Sequence, residues 1–232
     1  LRVAGRAPVA FERATSYIGV MIDDLVTRGV TEPYRMFTSR AEFRLALRAD
    51  NADQRLTPLG LEIGCVGERR AKVFAEKMEA LEAGRARLER LSLTPRQIAG
   101  AGISINQDGA RRDGMQLLAF PDVEFEDLLL LDDSLAAIPP EIRRQLSIDA
   151  LYANYIARQQ RDVDVMRRDE KQPIPTDFDF DALGGLSNEL KAKLKAARPG
   201  SLGQASRVEG MTPAALALIL AKLRQADRKK SA

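Results

Sequence analysis

The amino-acid sequence predicts a mostly α-helical protein: a multi-helix domain, a small terminal helical module, and room for a short strand or two near the N-terminus. Aromatic residues make up only 5% of the 232 residues and Trp is absent. The core must therefore be filled mainly by Leu, Ala, Val and Ile, a set that suits packed helices. The longest periodic segments also repeat their apolar residues at helical spacing.

The composition excludes several kinds of chemistry. The chain has no His and one Cys, Cys65, so we expect neither a zinc site nor a Ser-His or Cys-His nucleophile, and no internal disulfide. We also expect no catalytic residue and no metal ligand within this chain. Cys65 follows an apolar helix and is predicted to be a small buried or half-buried hydrophobe. No signal peptide and no membrane-spanning run is visible, which favours a reducing, cytoplasmic setting.

Residues 1–15 show no periodicity, and the first helix is predicted over residues 16–26. Its apolar residues recur near helical spacing; they are Ile18, Ile22, Leu25 and Val26. Arg28-Gly29 has the composition of a helix exit, and Pro33 blocks continuation.

The next segment supports two predictions. Ser39-Arg-Ala-Glu42 matches a capping box and favours a helix, whereas the alternation of Phe43, Leu45 and Leu47 with polar or small residues favours a strand. Arg40, Arg44 and Arg48 would share one face in either case, because their spacing of four suits both periods.

Thr57-Pro58 is typical of an N-cap followed by a first-turn proline, and predicts a short helix that Gly64 ends. The clearest helix is predicted from Glu68 to Leu91, among alternating charges. Its apolar stripe consists of Val73, Met78, Leu81 and Leu88.

Beyond this helix, Thr94-Pro95 predicts another short helical turn, and the four glycines of residues 100–122 predict a loop or insertion. Val123–Leu131 follows as a short apolar helix, which Ile138-Pro139-Pro140 separates from a long helix over Pro140–Lys171. The predicted buried side of that helix carries Ile148, Leu151, Tyr155, Val163 and Met166.

The C-terminal part begins with a linker over Pro173–Pro175. A small core then starts; its first members are Phe178, Phe180, Leu183 and Leu186. Ser187 is predicted to cap a helix that runs to Ala197, and Thr212-Pro213 to cap the last helix. The inward side of the last helix carries Leu216, Ile219, Leu220 and Leu223.

Charge is distributed unevenly along the chain. Residues 190–232 contain ten Lys or Arg and two acids, a net charge of +8, whereas the remainder has 26 basic and 31 acidic residues, a net charge of −5. A basic tail on an acidic body indicates an anionic partner. The alternative is a helix with a solvated lysine face.

The five arginines of residues 35–55 also have two interpretations. Arginine presents a planar fork of donors that suits phosphate oxygens, so the group could bind a nucleic-acid backbone. Alternatively, Arg40 and Arg44 could pair internally with nearby acids, namely Glu42, Asp50 or Asp53. The adjacent Asp23 and Asp24 would point to different sides of a helix and are predicted to have a structural or capping role.

Residues 17–57, YIGVMIDDLVTRGVTEPYRMFTSRAEFRLALRADNADQRLT, resemble the MnmG (GidA) family of tRNA uridine-modifying flavoproteins. The stretches YIARQQRDVDVMRRDE and GLSNELKAKLKAARPGSLGQASRVEGMTPAALALILAKL resemble the C-terminal part of the same family. The similarity covers roughly residues 14–232. It identifies the chain as a C-terminal portion, and one departure is Phe43, where the family often has Tyr.

The resemblance implies a full-length parent that uses FAD and NADH and acts with the GTPase MnmE. Together they would add an aminomethyl or carboxymethylaminomethyl group to C5 of the wobble uridine of certain tRNAs, with the parent as a homodimer. Neither cofactor is expected on this chain, which has no GxGxxG or P-loop motif and is predicted to be inactive alone. Family arginines implicated in activity or tRNA binding correspond to Arg35 and Arg44.

The resemblance also implies a domain division and candidate sites. Residues 1–56 would be the trailing edge of the FAD-binding domain, residues 57–172 a helical domain, and residues 173–232 a small module for partner and tRNA recognition. The tRNA-binding candidates are Arg35, Arg40, Arg44 and Arg48. The partner- or tRNA-binding candidates are Lys191, Lys195, Arg207, Lys222 and Arg224. The alternative function is a protein-docking helical scaffold without direct RNA contact.

Overall fold

The computed structural model describes residue 5, residues 8–27 and residues 32–230, with the backbone alone for Glu170 and residues 226–230. The predicted helix exit at Arg28-Gly29 lies outside this part of the chain. The described residues form ten α-helices, and the mostly α prediction is confirmed. In chain order, α1–α10 are Tyr17–Thr27, Ala52–Ile63, Glu68–Arg90, Pro95–Gly100, Gly114–Leu118, Phe125–Leu129, Pro140–Lys171, Asn188–Ala197, Leu202–Ser206 and Pro213–Lys230.

Two short 3₁₀ segments, Thr38–Arg40 and Asp133–Ala137, complete the described secondary structure, which has two isolated β-bridges and no strand. Residues 42–46 form a run of turns, so neither the helix nor the strand considered for this segment is present. The predicted capping box is wrong: Ser39 lies inside a 3₁₀ turn, and the Glu42 carboxylate accepts hydrogen bonds from Arg13 instead of a backbone N–H.

The chain divides into two compact units, and α7 contributes to both. Unit 1 contains residues 1–8 and 45–158, and its core is built from α3 to α7. The side chains of this core that are removed from solvent altogether are Leu88, Ile98, Leu117, Leu128 and Leu146. Close packing of this kind is the principal source of the unit's stability.

Unit 1 confirms the start and end of α3 to within one residue but corrects its buried stripe. Val73 is 59% exposed, because the core begins only near Met78 and the first turns of α3 extend past it. Gly84 lies where α7 crosses: a Cβ there would come 2.8 Å from Cδ1 of Leu146. A larger residue at position 84 would therefore require the Leu146 side chain to shift.

Two further elements of unit 1 differ from the predictions. Helix α2 begins at Ala52 and contains Pro58 in its interior, because Asn51 already starts the helix, its carbonyl accepting from the Arg55 N–H. The predicted loop of residues 100–122 contains α5, whose start is fixed by a reciprocal capping box between Asp113 and Gln116. Gly64 ends α2 in the left-handed conformation, as predicted.

Helix α7 has the predicted bounds, but its buried face differs from the predicted one. Ile142, Leu146 and Ala150 are buried in unit 1, whereas Leu151 and Tyr155 are exposed. The side chains of Val163 and Met166 then pack in unit 2 with Ala14 and Phe43. The prediction of a single buried face along the whole helix is wrong, because each half of α7 packs against different neighbours.

Unit 2 contains residues 9–44 and 159–232. Its main core joins residues 174–186 to α8, α9 and α10, and Leu194, Ala205 and Ile219 are completely buried there. Ser187 caps α8 as predicted, its hydroxyl accepting from the Leu190 N–H. The buried residues in the described part of α10 are Ala215, Ile219 and Leu223, with Leu216 and Leu220 packed against the same core.

Helix α1 belongs to unit 2, and most of its apolar residues are exposed. The helix prediction is confirmed, and the Ser16 hydroxyl accepts a hydrogen bond from Gly19 N–H in its first turn. The side of α1 that is buried carries Gly19, Val20, Asp24 and Thr27. Its apolar positions Ile18, Ile22, Leu25 and Val26 are all exposed.

Unit 1 also carries an acidic stretch over residues 113–142, which contains eight Asp or Glu and no Lys or Arg. Asp122, Glu126 and Asp133 are exposed. Such a surface repels a polyanion, so this stretch of unit 1 is poorly suited to nucleic acid.

Candidate nucleic-acid interface

Arg35 and Arg44 are the two predicted RNA-binding arginines with exposed side chains in the N-terminal part of unit 2. The Arg35 guanidinium lies 4.9 Å from the ring centroid of Phe37, a cation–π geometry that leaves its donors available. Arg44 follows the buried Phe43 and forms no ion pair or hydrogen bond with the described residues. Among the described residues, no acceptor is therefore bound to either guanidinium group.

Arg40 is partly committed to the protein. Its guanidinium lies 3.3 Å from an Asp24 carboxylate oxygen and 5.1 Å from the ring centroid of Tyr34, which itself donates a hydrogen bond to Asp24. The Arg40 side chain is 39% exposed, so the free edge of its guanidinium still faces solvent.

The contacts of Arg40 belong to a network centred on Arg13, a residue that the sequence patterns did not single out. The Arg13 side chain is 4% exposed and donates to Asp23, Asp24 and Glu42, at 3.0, 2.8 and 2.7 Å. It also donates to the backbone carbonyls of Val20 and Arg40. Burial opposes the charge, but the hydrogen bonds to Glu42 and Asp24 outweigh it and raise the pKa of Arg13.

Arg207 closes this network from the C-terminal side of unit 2. Its guanidinium forms two contacts of 2.6 Å with the Asp23 carboxylate, and the Arg207 side chain is 10% exposed. Asp23 thus binds both Arg13 and Arg207, and Asp24 binds Arg13 and Arg40. The contacts agree with the structural role predicted for the two acids, and they place Arg207 in the interior of unit 2.

Arg48 is also part of an internal network, in unit 1. Its guanidinium binds Asp50 through two hydrogen bonds of 2.9 Å and Asp149 through a third, and it stacks 4.6 Å from the ring centroid of Tyr152. The hydrogen bonds from Arg48 lower the pKa of the Asp50 carboxyl, which Gln145 also contacts. This arginine joins residues about 100 positions apart in the chain.

The cations of the terminal helices differ in their contacts. The Lys191 and Lys195 ammonium groups both bind Asp181, one at the backbone carbonyl and one at the carboxylate. Lys222 and Arg224 are exposed on α10 and form no ion pair or hydrogen bond with the described residues. Within the described part of the chain, four of the nine predicted binding residues form no ion pair or hydrogen bond: Arg35, Arg44, Lys222 and Arg224.

No other class of site emerges from the described residues. They contain no group of three or more Cys, Asp or Glu arranged to hold a metal ion, and none of their helices is long and apolar enough to cross a bilayer. Cys65 is exposed, which contradicts the predicted burial. It follows the helix-ending Gly64 and lies in the short connection to α3, outside the core.

Comparison with known proteins decides the family. Residues 68–160 match a family model described as the C-terminal helical domain of the tRNA modifying enzyme MnmG/GidA. Residues 162–232 match a second model, described as the C-terminal helical bundle of the tRNA modifying enzyme MnmG/GidA. The chain belongs to the MnmG/GidA family. The two models meet inside α7, and the predicted domain boundaries after residues 56 and 172 stay predictions.

Named relatives agree with this assignment over most of the chain. The tRNA uridine 5-carboxymethylaminomethyl modification enzymes MnmG of Syntrophotalea carbinolica and Granulibacter bethesdensis are 49% and 44% identical over 94% of the chain. A crystal structure of GidA from Aquifex aeolicus superposes over 96% of the chain with a TM-score of 0.76 and 34% identity. This chain spans about a third of the length of these relatives, 35% in each case.

Proposed function

We propose that this chain is the C-terminal portion of a tRNA-modifying MnmG protein, in which it helps bind tRNA and docks the GTPase MnmE. The full-length protein would modify C5 of the wobble uridine in the cytoplasm, as a homodimer, with FAD and NADH as cofactors. The observation that carries the proposal is the similarity of 94% of the chain to named MnmG enzymes.

This sequence lacks the glycine-rich turn by which a dinucleotide fold holds the pyrophosphate. A dinucleotide fold approaches the pyrophosphate through a glycine-rich turn that opens a helix, and the sequence contains no GxGxxG motif. The proposed contribution of this chain is therefore binding, with the redox chemistry assigned to the rest of the full-length protein.

Within unit 2, Arg35 and Arg44 are the proposed tRNA contacts of the N-terminal segment. Both are exposed and keep guanidinium donors for phosphate oxygens. Arg40 is proposed to contribute through its exposed edge, whereas Arg48 and Arg207 would act indirectly by holding backbone segments. Lys222 and Arg224 are proposed as the contacts of α10 for tRNA or for MnmE.

A titration with fluorescent tRNA at two salt concentrations tests this proposal. Phosphate contacts make the affinity fall as salt rises, by roughly 0.9 in the log–log slope for each contact. Arg35→Ala and Arg44→Ala should each weaken binding and reduce that slope. Arg96→Ala serves as the matched control, because Arg96 is an exposed arginine of α4 in unit 1 with no contact of its own among the described residues.

The docking-scaffold alternative rests on a specific observation: five of the nine candidate cations already have partners within the chain, as described above. Under this alternative the chain binds purified MnmE but not tRNA, and its binding barely responds to salt. Unchanged tRNA affinity in both arginine variants would remove Arg35 and Arg44 from the proposed RNA surface.

A further inference from the structure

Arg198 has an unusual backbone conformation at the end of α8. With φ 43° and ψ 59°, it is the one non-glycine residue with positive φ in the described part of the chain. At each of the other positive-φ positions there, the residue is glycine. A side chain in the left-handed region brings Cβ close to the following carbonyl oxygen, so Arg198 occupies a position that glycine would fill without strain.

The backbone on both sides of Arg198 is fixed. Its N–H donates to the carbonyl of Leu194 at 2.9 Å and closes the last turn of α8 around that completely buried residue. Pro199 is buried, and the Gly200 carbonyl accepts from the Ile174 N–H at 3.0 Å. The backbone that carries the Arg198 side chain is therefore held in place.

The Arg198 side chain is exposed and forms no ion pair or hydrogen bond with the described residues. Lys191 and Lys195 lie one turn apart on one side of α8, and Arg198 directly follows the last helical residue, Ala197. Lys193, on another side, differs from Arg198 in being paired with Glu189 and Glu209. Among the described residues, the Arg198 guanidinium thus differs from the Lys193 and Lys195 ammonium groups in having no acidic partner.

We infer that Arg198 is a phosphate-binding residue of the RNA surface, an inference that rests on the tRNA binding proposed above. A guanidinium suits phosphate oxygens because its donors form a planar fork. A purely structural cap would be served better by glycine, and a cation near a helix C-terminus is favourable anywhere in the last turn without a strained backbone. Binding an RNA phosphate gives a reason for arginine at this position.

Three substitutions at this position separate charge from strain. Arg198→Gln removes the charge and keeps the left-handed non-glycine residue, Arg198→Lys keeps both, and Arg198→Gly removes both. Lys193→Gln is the control within the same helix, since Lys193 is already paired. The readouts are tRNA affinity over a range of salt concentrations and the Tm of each variant of this chain.

We expect Arg198→Gln and Arg198→Gly to reduce the magnitude of the salt slope by about 1, the share of one phosphate contact. The ratio of the affinities at about 50 and 200 mM salt should therefore be about 3.5-fold smaller for these variants than for the unaltered chain. Arg198→Lys should retain most of the slope, and Lys193→Gln should change it less than Arg198→Gln. Arg198→Gly should melt above Arg198→Gln, because glycine relieves the left-handed strain.

Each contrary result has a distinct meaning. If Arg35→Ala and Arg44→Ala weaken tRNA binding while Arg198→Gln and Arg198→Gly do not, this inference fails and the proposed function stands. If the unaltered chain shows no salt-dependent tRNA binding, both fail. If the Arg198 variants lose binding to MnmE alone, Arg198 is a protein contact and the assignment to RNA is overturned.

Discussion

Replacing Arg13 by methionine should destabilise unit 2 more than any single surface change. Methionine approximates the length of the arginine stem but removes the guanidinium that binds Asp23, Asp24 and Glu42. Removing one partner of a buried ion pair costs about 3–5 kcal/mol when the other charge is left uncompensated, and we expect a smaller loss here because Asp24 retains Arg40 and Tyr34.

The cost should fall mainly on Asp24. Glu42 is 48% exposed and can be solvated once Arg13 is gone, and Asp23 keeps the two contacts of Arg207. Asp24 is 3% exposed and would keep Arg40 at 3.3 Å and the hydroxyl of Tyr34. Neutralising Asp24 in the same molecule should therefore recover part of the loss.

A double-mutant cycle measures this coupling. Free energies of unfolding are obtained from urea denaturation for Arg13→Met, Asp24→Asn and the double variant, with hydrogen exchange of the amides in α1 reporting on unit 2. We expect the double variant to lose at least about 1 kcal/mol less than the sum of the single losses. Arg48→Met is the control, because it disrupts a comparable arginine network in unit 1. Additive losses, or a loss below about 1 kcal/mol for Arg13→Met, would refute the reasoning.

Three further predictions follow from individual contacts. Because Arg48 lowers the pKa of Asp50, ionised Asp50 stabilises unit 1 above about pH 4, and this contribution disappears as the pH falls through the lowered pKa. Urea unfolding below pH 5 should therefore show a flatter pH dependence of the unfolding free energy for Asp50→Asn than for the unaltered chain. Parallel pH profiles would contradict this. Gly19→Ala should cost unit 2 about 1–3 kcal/mol, since its Cβ would lie 2.6 Å from the backbone carbonyl carbon of Glu12; a Tm equal to wild type would show that the close approach is not required. Leu194→Ala should cost about 2–5 kcal/mol, because Leu194 is completely buried, and a smaller loss in urea unfolding would mean that the core of unit 2 collapses around the cavity.

The elements that the sequence predicts well are those governed by local rules. Helix α3 has a long periodic sequence, and α7 is bounded by prolines. The Ser187 hydroxyl supplies the acceptor that caps α8, and Gly64 readily adopts the left-handed conformation that ends α2. Helix α5 was missed because five residues are too few to show periodicity. The spacing of Asp113 and Gln116, which matches a capping box, was the available signal.

The candidate site was less accessible, because its decisive contacts are distant in sequence. Arg207 and Asp23 are 184 positions apart, and Arg48 and Asp149 are 101 apart. Composition and spacing cannot tell an arginine that binds phosphate from one that binds a distant aspartate. Arg13 lies in a segment without periodicity, and Arg198 is distinguished by a backbone angle that no side-chain pattern reveals.

The discontinuity of unit 2 has a consequence for synthesis on the ribosome. Unit 1 is almost continuous in sequence, whereas the contacts between residues 9–44 and residues 159–232 in unit 2 form only after the later segment has been synthesised. At typical elongation rates, Arg207 is added on the order of ten to thirty seconds after residue 44. During that interval Asp23 lacks Arg207, one of its two arginine partners, and only Arg13 can neutralise its charge from within unit 2.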